Sequence, residues 1–478
     1  MISSQNDRSL AAKLWTLPIA FSLVLAGCGA ATPETSTDAV DGAASQEAKG
    51  RESITNDADG EHAISASGET ASYQSVDVSK TGEADGDEAD FYGVNSAIYA
   101  EEGATLDLDD LTVTTAGTHA NAIFSYGEGT TVNVSNSTID TTGNCSGGIM
   151  VTGGGTLNAT DLTIHTTGNS SAAIRSDRGG GTENVTGGTY TTDGMGSPVI
   201  YSTADVTVSN ATLTSTSAQG VVVEGKNSVT LNDVDLTASN TSKNSDKSSF
   251  YQAVMIYQSM SGDAAQGEAT FSMNGGTLDN KNGDIFFVNN TVTTINLAKA
   301  AITNEDESGV FLRAAAAGWG SEGSNGGHVT LNASGQEING DMLVDEVSSL
   351  NLYLKDGSTF TGSINTDGTE GEVYVELAEG STWTLTSDAH ITSLTCDANA
   401  INLNGHTLYV GDDTYTEGSA SSGEAIVVTV ESSGGPGDMG DEPPAKPDGE
   451  GGPGGAGGEP PAKPDGDGSG KPPAKPES

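Results

Sequence analysis

Residues 123–149 read IFSYGEGTTVNVSNSTIDTTGNCSGGI and contain one full period of the repeat that decides the fold. Isoleucine opens and closes the stretch, and the segments around Val132 and Ile139 alternate apolar with polar residues. Such alternation buries one face of a strand and leaves the other in solvent. The stretch therefore predicts three short strands and a closing turn at Gly143.

The same three positions return along the chain every 25 or 26 residues. The first track consists of Ile98, Ile123, Ile149, Ile174 and Ile200. The second consists of Leu106, Val132, Leu157, the exceptional Glu183, Val206 and Val229. The third consists of Val113, Ile139, Ile164, Tyr190 and Leu213. Three strands per period, with like residues in phase, are typical of a parallel β-helix whose coils stack on one another.

We therefore predict an all-β chain with a single right-handed parallel β-helix over residues 91–432, built of three-strand coils of about 25 residues. An antiparallel sandwich or barrel also has many short strands, but it gives no reason for three tracks to keep one interval. After Val229 the interval widens, which indicates insertions at 240–249, 259–267 and 314–327. Roughly twelve coils at ~4.8 Å each would make a rod on the order of 60 Å long.

The first 28 residues resemble a bacterial export signal. Arg8 and Lys13 precede an apolar run over 14–26, which has the length of a signal-peptide core and is too short to span a bilayer. The tetrapeptide LAGC that ends at Cys28 resembles the lipobox of bacterial lipoproteins. The resemblance implies removal of residues 1–27 and acylation of the Cys28 thiol, so that lipid anchors the mature chain. An ordinary secretory signal that happens to contain a cysteine is the alternative.

Low-complexity segments flank the predicted β-helix. Residues 28–90 are rich in Ala, Ser, Thr, Gly and acid, and predict a disordered spacer whose last third could supply opening strands. Residues 433–478 repeat a Pro-Pro-Ala-Lys-Pro motif between glycines, and predict an extended tail. We expect the acidic first strands and the run at 427–430 to cap the end coils.

The strongly negative charge of the chain limits the kinds of partner that it can bind. The chain has 66 acidic and 18 basic residues and a net charge of −48, which repels nucleic-acid phosphates and anionic headgroups. We expect no nucleic-acid partner, a monomer, and contact with the membrane through the lipid anchor. Such a surface suits cations, sugars or basic partners. Asparagine and aspartate side chains in the turns could bind calcium, but no Gly-Gly-x-Gly-x-Asp repeat indicates a calcium site. No cofactor is predicted.

The coil pattern over residues 93–430 resembles the pectin lyase-like superfamily of right-handed parallel β-helices, and in particular its adhesin-like bacterial surface members. The stretches 176–181 (SDRGGG) and 255–262 (MIYQSMSG) add to this resemblance. The fold hosts lyases, hydrolases, tailspikes and adhesins, so the resemblance implies an architecture and not one activity.

An enzyme of this fold would need converging carboxylates, with a basic residue beside them in a lyase. Arg175 and Asp177, two apart on a strand and followed by Arg178, form the best acid–base cluster in the sequence. A surface ion pair beside a glycine-rich turn explains these residues equally well. We expect His119 and His165 to be solvated without metal-ligating partners, and we predict no metal site.

The residue after each first-track isoleucine should point outward. This rule defines a column of Tyr99, Phe124, Met150, Arg175, Tyr201 and Tyr257. Its aromatic members, with Trp319 from an insertion, could stack on sugar rings. Alternatively the column packs under the acidic N-terminal segment or the insertions, because exposed aromatic stripes are costly.

We therefore expect a lipid-anchored cell-surface protein for adhesion or for binding a polysaccharide or host-surface glycan. A polysaccharide lyase or glycoside hydrolase is the alternative from another class. A structural surface stalk without ligand is the third.

Overall fold

A computed structural model of the chain describes residues 51–243, 247–248, 250–259, 261–368 and 370–428. Over these ranges the chain forms a parallel β-helix, which confirms the predicted fold class. The predicted signal peptide, Cys28 and the proline-rich tail lie outside the described residues.

Three long parallel sheets form the faces of the coil. Within the described ranges, sheet A has ten strands: Glu52–Asn56, Val76–Lys80, Thr112–Thr115, Thr138–Thr141, Thr163–Thr166, Thr189–Thr192, Thr212–Ser215, Asp235–Ala238, Thr277–Asn280 and Ala301–Asn304. Sheet B has eleven in the same part of the chain: Ile64–Ser67, Ile98–Glu101, Ile123–Tyr126, Ile149–Thr152, Ile174–Ser176, Ile200–Ser202, Val221–Glu224, Gln252–Tyr257, Asp284–Asn289, Val310–Ala314 and Asp341–Val344. Sheet C has thirteen described strands: Thr70–Gln74, Thr105–Asp109, Thr131–Ser135, Gly155–Thr160, Gly181–Thr186, Asp205–Ser209, Ser228–Asn232, Glu268–Asn274, Thr291–Ala298, Gly327–Ser334, Ser349–Lys355, Glu372–Leu377 and Ser393–Cys396.

Two small sheets continue sheets A and B toward the C-terminal end. The first contains Glu337–Asn339, Thr359–Thr361, Thr382–Thr384 and Ile401–Asn402. The second contains Ala389–Ile391, Leu408–Val410 and Asp413–Thr414.

The strand register stacks the predicted tracks residue on residue. Ile149 lies between Ile123 and Ile174 in sheet B, and Ile164 pairs with Ile139 in sheet A. These side chains are fully buried in one continuous apolar core. The alternation in the sequence therefore assigns the inward face correctly.

The corner between sheets A and B requires glycine. A Cβ atom on Gly143 would lie 1.9 Å from the carbonyl oxygen of Gly117, and one on Gly168 would lie 1.8 Å from that of Gly143. No larger residue fits where the backbones of successive coils approach this closely. The predicted closing turns thus have a steric cause.

The β-helix begins at Glu52, so the predicted start at residue 91 is too late. The strands Ile64–Ser67 and Val76–Lys80 already bury Ile64 and Val78 in the common core. Only alternate residues of a strand have to be apolar, and the outward positions here are mostly polar. The last third of the predicted spacer thus does supply opening strands, as expected, and the strand Glu52–Asn56 extends the β-helix further toward the N-terminus.

The C-terminal end coil is covered by residues that precede the predicted cap. Asp413–Thr414 pairs antiparallel with Leu408–Val410, and the amides of Ser421 and Cys396 each bond to the other's carbonyl at 3.0 Å. By contrast, Val427 is 86% exposed, and residues 429–430 lie outside the described ranges. The prediction that 427–430 forms the cap is wrong at Val427, because a side chain this exposed does not pack on the end coil.

The long connections all adjoin sheet B. They span residues 81–97 and 239–251 on the side of sheet A, and 258–267 and 315–326 on the side of sheet C. Within the described ranges the one helix is Asp87–Phe91, in the first of these connections. No helix of the described chain has the length and apolar character needed to cross a membrane.

The rod should keep Cys145 and Cys396 apart. Both thiols are free, and they lie roughly nine coils from each other, or ~43 Å at ~4.8 Å per coil. A disulfide requires Cα atoms within about 7 Å, so we expect both thiols to be free, or bridged only between molecules. Mass mapping of the non-reduced protein measures this. A Cys145–Cys396 crosslinked peptide from the monomer would contradict the solenoid.

Candidate functional site

A cleft of about 100 Å³ opens on the outer face of sheet B, between two of the insertions. Its floor includes Tyr201, Val222 and Met255, which occupy the same outward position in three successive strands. Residues of the 239–251 insertion form one wall, and Trp319 of the 315–326 insertion forms another. The insertions thus turn a flat sheet face into a concave site.

Four aromatic rings line the cleft: Tyr201, Phe250, Tyr257 and Trp319. Trp319 meets Tyr257 edge on, with ring centroids 5.0 Å apart. Phe250 is held by the Arg313 guanidinium, which lies 4.0 Å from its ring centroid. Tyr201, Phe250 and Trp319 are each partly exposed, so the rings are fixed yet accessible.

Polar groups stand beside these rings. The polar lining residues are Gln219, Asn240, Ser242, Lys243, Ser248 and Gln252. Lys243 donates from Nζ to the Ser248 carbonyl oxygen at 2.9 Å. The Asn240 Oδ1 and Gln252 Oε1 atoms are buried acceptors without a hydrogen-bond donor among the described residues. An unpaired buried acceptor costs about 1–3 kcal/mol, and a hydroxyl group bound in reach of one would reduce that cost.

Glu224 holds two of the rings in place through hydrogen bonds. Its carboxylate accepts hydrogen bonds from the hydroxyls of Tyr201 at 2.5 Å and Tyr257 at 2.8 Å, and the residue is 1% exposed. Burial raises the pKa of both tyrosine hydroxyls well above the usual value, so both stay protonated and donate. The cleft floor is therefore preorganised.

The predicted outward column divides into two groups. Tyr201, Tyr257 and Trp319 meet at the cleft, whereas Tyr99 and Phe124 are buried. His62 stacks on the Tyr99 ring at 4.4 Å, and a Cβ atom on Gly93 would lie 2.7 Å from the Phe124 ring. The ligand-binding prediction is wrong for Tyr99 and Phe124, because both rings are buried, the first under His62 and the second against Gly93. This outcome matches the alternative interpretation of the column.

Tyr257 does not belong to the column to which the sequence assigned it. The register pairs Met255 with Val222, and Tyr257 with Glu224. The 239–251 insertion separates these strands along the chain and obscures the phase of the repeat. Tyr257 and Tyr201 nevertheless converge, because both hydroxyls bind Glu224.

Arg175, Asp177 and Arg178 do come together, within a largely buried ion-pair network. Arg175 Nη2 lies 3.0 Å from Asp177 Oδ2, and Arg178 Nη2 lies 2.7 Å from Asp263 Oδ1. The Arg178 guanidinium also covers the Phe91 ring at 3.6 Å. Burial raises the pKa of Asp177 to about 6, against the opposing effect of Arg175. These contacts join residues 81–97 and 258–267 to the coils, as expected of a structural network.

The prediction of a solvated His119 is wrong. The side chain is nearly buried, and its Nδ1 atom lies 2.9 Å from an oxygen of Asp90. Contact with Asp90, and then with Cys145, raises the pKa of His119 to about 9. His165 lies on the surface, as predicted, but its Nε2 atom contacts Asp193 at 2.8 Å.

Several residues of these sites were not predicted from the sequence. Cys145 follows His119 by 26 residues, which is one coil, and that spacing was the available signal. Phe250 and Lys243 lie in an insertion without periodicity, so no sequence signal indicated them.

The chain matches no family model, no curated protein and no solved structure, and its function has to be argued from the cleft.

Proposed function

We propose that this protein is a non-catalytic glycan-binding β-helix, held at the outer face of a bacterial membrane by lipid on Cys28. The cleft over sheet B is the proposed binding site. The observation that carries the proposal is the convergence of four rings with amide, hydroxyl and ammonium groups at one concave site. A sugar presents an apolar C–H face and a rim of hydroxyls, and these two kinds of wall complement it.

The lining favours binding over cleavage. A glycoside hydrolase needs two carboxyl groups flanking the scissile bond, yet none of the described lining residues is acidic. Glu224 is 1% exposed and is not among the lining residues, and its carboxylate accepts hydrogen bonds from the Tyr201 and Tyr257 hydroxyls, so it holds the rings of the cleft in place. Asp177 is not among the cleft-lining residues, and its carboxylate is paired with Arg175, which neighbours Tyr201 in the strand register.

We expect Trp319→Ala to weaken glycan binding about tenfold or more. Loss of one stacking ring removes on the order of 1 kcal/mol of specific contact as well as its buried area, and 1.4 kcal/mol corresponds to tenfold in affinity. A glycan array with neutral and acidic polysaccharides identifies the ligand, and calorimetry then measures the affinity of both proteins. Thermal unfolding verifies that the variant is folded.

Tyr353→Ala is the matched control. Tyr353 is a partly exposed ring that packs edge on against Tyr374, on sheet C and away from the cleft. This variant should bind as the wild type does. If the wild type binds no glycan, the protein is better explained as a stalk. Release of unsaturated uronates or new reducing ends would instead show an enzyme, and either result contradicts the proposal.

A further inference from the structure

Three residues with different ligand chemistry converge beside the corner between sheets A and B. A carboxylate oxygen of Asp90, a ring nitrogen of His119 and the Cys145 Sγ atom all lie within 4.8 Å of one another. His119 and Cys145 occupy the same place in successive coils, and both have a φ angle of 53°. Asp90 reaches them from the helix Asp87–Phe91 in the 81–97 connection.

The buried ring of His119 faces the Asp90 carboxylate without an aligned hydrogen bond to it. His119 is 4% exposed, and its Nδ1 atom makes no aligned hydrogen bond with a described residue, although Asp90 Oδ1 is only 2.9 Å away. Two ligand atoms bonded at ~2.0 Å to one tetrahedral zinc ion are about 3.3 Å apart. At 2.9 Å the two atoms are about 0.4 Å closer than that, so a small outward shift of either side chain would let both bind one ion together with Cys145.

We propose that Asp90, His119 and Cys145 bind one divalent transition-metal ion, with zinc the best match. Thiolate, imidazole and carboxylate are the three ligand types that zinc takes in proteins, and three protein ligands leave a fourth position for water. The ion would clamp residues 81–97, which pack against Phe124 through Gly93, onto the coil. This proposal does not depend on glycan binding.

The charged groups around the proposed site are compatible with a bound divalent cation. The Cys145 thiolate and the Asp90 carboxylate would together balance a divalent cation. Arg175 lies 3.9 Å from Asp90, but its guanidinium is already paired with Asp177 at 3.0 Å. On the other ring nitrogen of His119, Nε2, the exposed Asp85 lies 3.7 Å away, where an outer carboxylate can orient a metal-bound histidine.

Cobalt substitution of the purified full-length protein tests the site. After removal of metal, the wild type should bind one equivalent of Co²⁺, with a thiolate-to-cobalt charge-transfer band in the near ultraviolet and the visible bands of a tetrahedral ion. Zinc should displace the cobalt and raise the midpoint of thermal unfolding. Cys145→Ser should lose the charge-transfer band, and Asp90→Asn should bind at least tenfold more weakly.

Cys396→Ser is the matched control, because Cys396 is the other described thiol and is not in the Asp90–His119 cluster. It should retain the wild-type spectrum. All variants are compared without metal by circular dichroism, and a correctly folded Cys145→Ser that keeps the band would overturn the proposal. Absence of the band in the wild type, or its loss in Cys396→Ser alone, would do the same.

Discussion

Replacing Ile149 by aspartate should lower the free energy of unfolding by several kcal/mol. The Ile149 side chain is fully buried between Ile123 and Ile174, so a carboxylate there would have neither water nor a cation beside it. Coils are supported only by their neighbours, and the loss should therefore be greatest in the adjoining coils. Denaturant unfolding measures the total, and hydrogen exchange measures its distribution along the rod.

Thr163→Asp provides the control, because Thr163 lies on the outward face of a nearby strand and is exposed. This variant should unfold nearly as the wild type does, since it adds the same charge in water. Wild-type stability of Ile149→Asp would mean that the first track faces outward, in conflict with the register.

The opposite effect is expected at Glu183, where valine should stabilise the protein. Glu183 is fully buried in the second track between Leu157 and Val206. Neither of its carboxyl oxygens has a hydrogen-bond partner among the described residues. Burial raises the pKa of this carboxyl well above its usual value. An apolar side chain of similar shape removes a group that the core accommodates only in its neutral form.

The gain from Glu183→Val should increase with pH. The folded protein holds the Glu183 proton to a higher pH than the unfolded chain does, because its pKa is raised on folding. Its contribution to the free energy of unfolding is therefore fully present below the pKa of the unfolded chain. This contribution is lost as the pH rises through the pKa of the folded protein. We expect a small gain near pH 4 and one on the order of a few kcal/mol near pH 7.

Unfolding measured across this pH range separates Glu183 from other acids. Glu128→Gln, at an exposed position, should leave the pH profile unchanged. Glu183→Gln should remove the pH dependence that Glu183 contributes while keeping a polar group in the core. If Glu183→Val is less stable than the wild type at every pH, Glu183 has a partner that the described residues do not include.

The coil core could be predicted because its signal is local and repeated. Each strand alternates, each coil keeps its length, and even Glu183 falls in phase with Leu157 above and Val206 below. The last third of residues 28–90 was expected to supply opening strands, but the β-helix was started at residue 91 because average composition mixes the inward and outward positions of those strands. The strand Ile64–Ser67 buries two of its four residues, which is sufficient for a coil and too few for a compositional signal.

The candidate sites were harder to predict, because they depend on where insertions return to the coil. Tyr201 and Trp319 were expected to bind ligand, yet no repeat indicated that Phe250 would join them. Asp90 approaches His119 from outside the coil, and no spacing in the sequence encodes that approach. Residues of the repeat can be placed by counting, whereas residues of the insertions require a structure.

The position of the long insertions has a consequence for how this protein can change over evolutionary time. Each insertion leaves and re-enters the coil at a corner beside sheet B, so gain or loss of residues there alters no strand pairing. Loops carried on a rigid frame tolerate such change far better than the frame itself. Under the proposed function, the loops around the cleft are where binding specificity can change without altering the rod, and loop grafting at residues 239–251 or 315–326 offers a route to engineered binders.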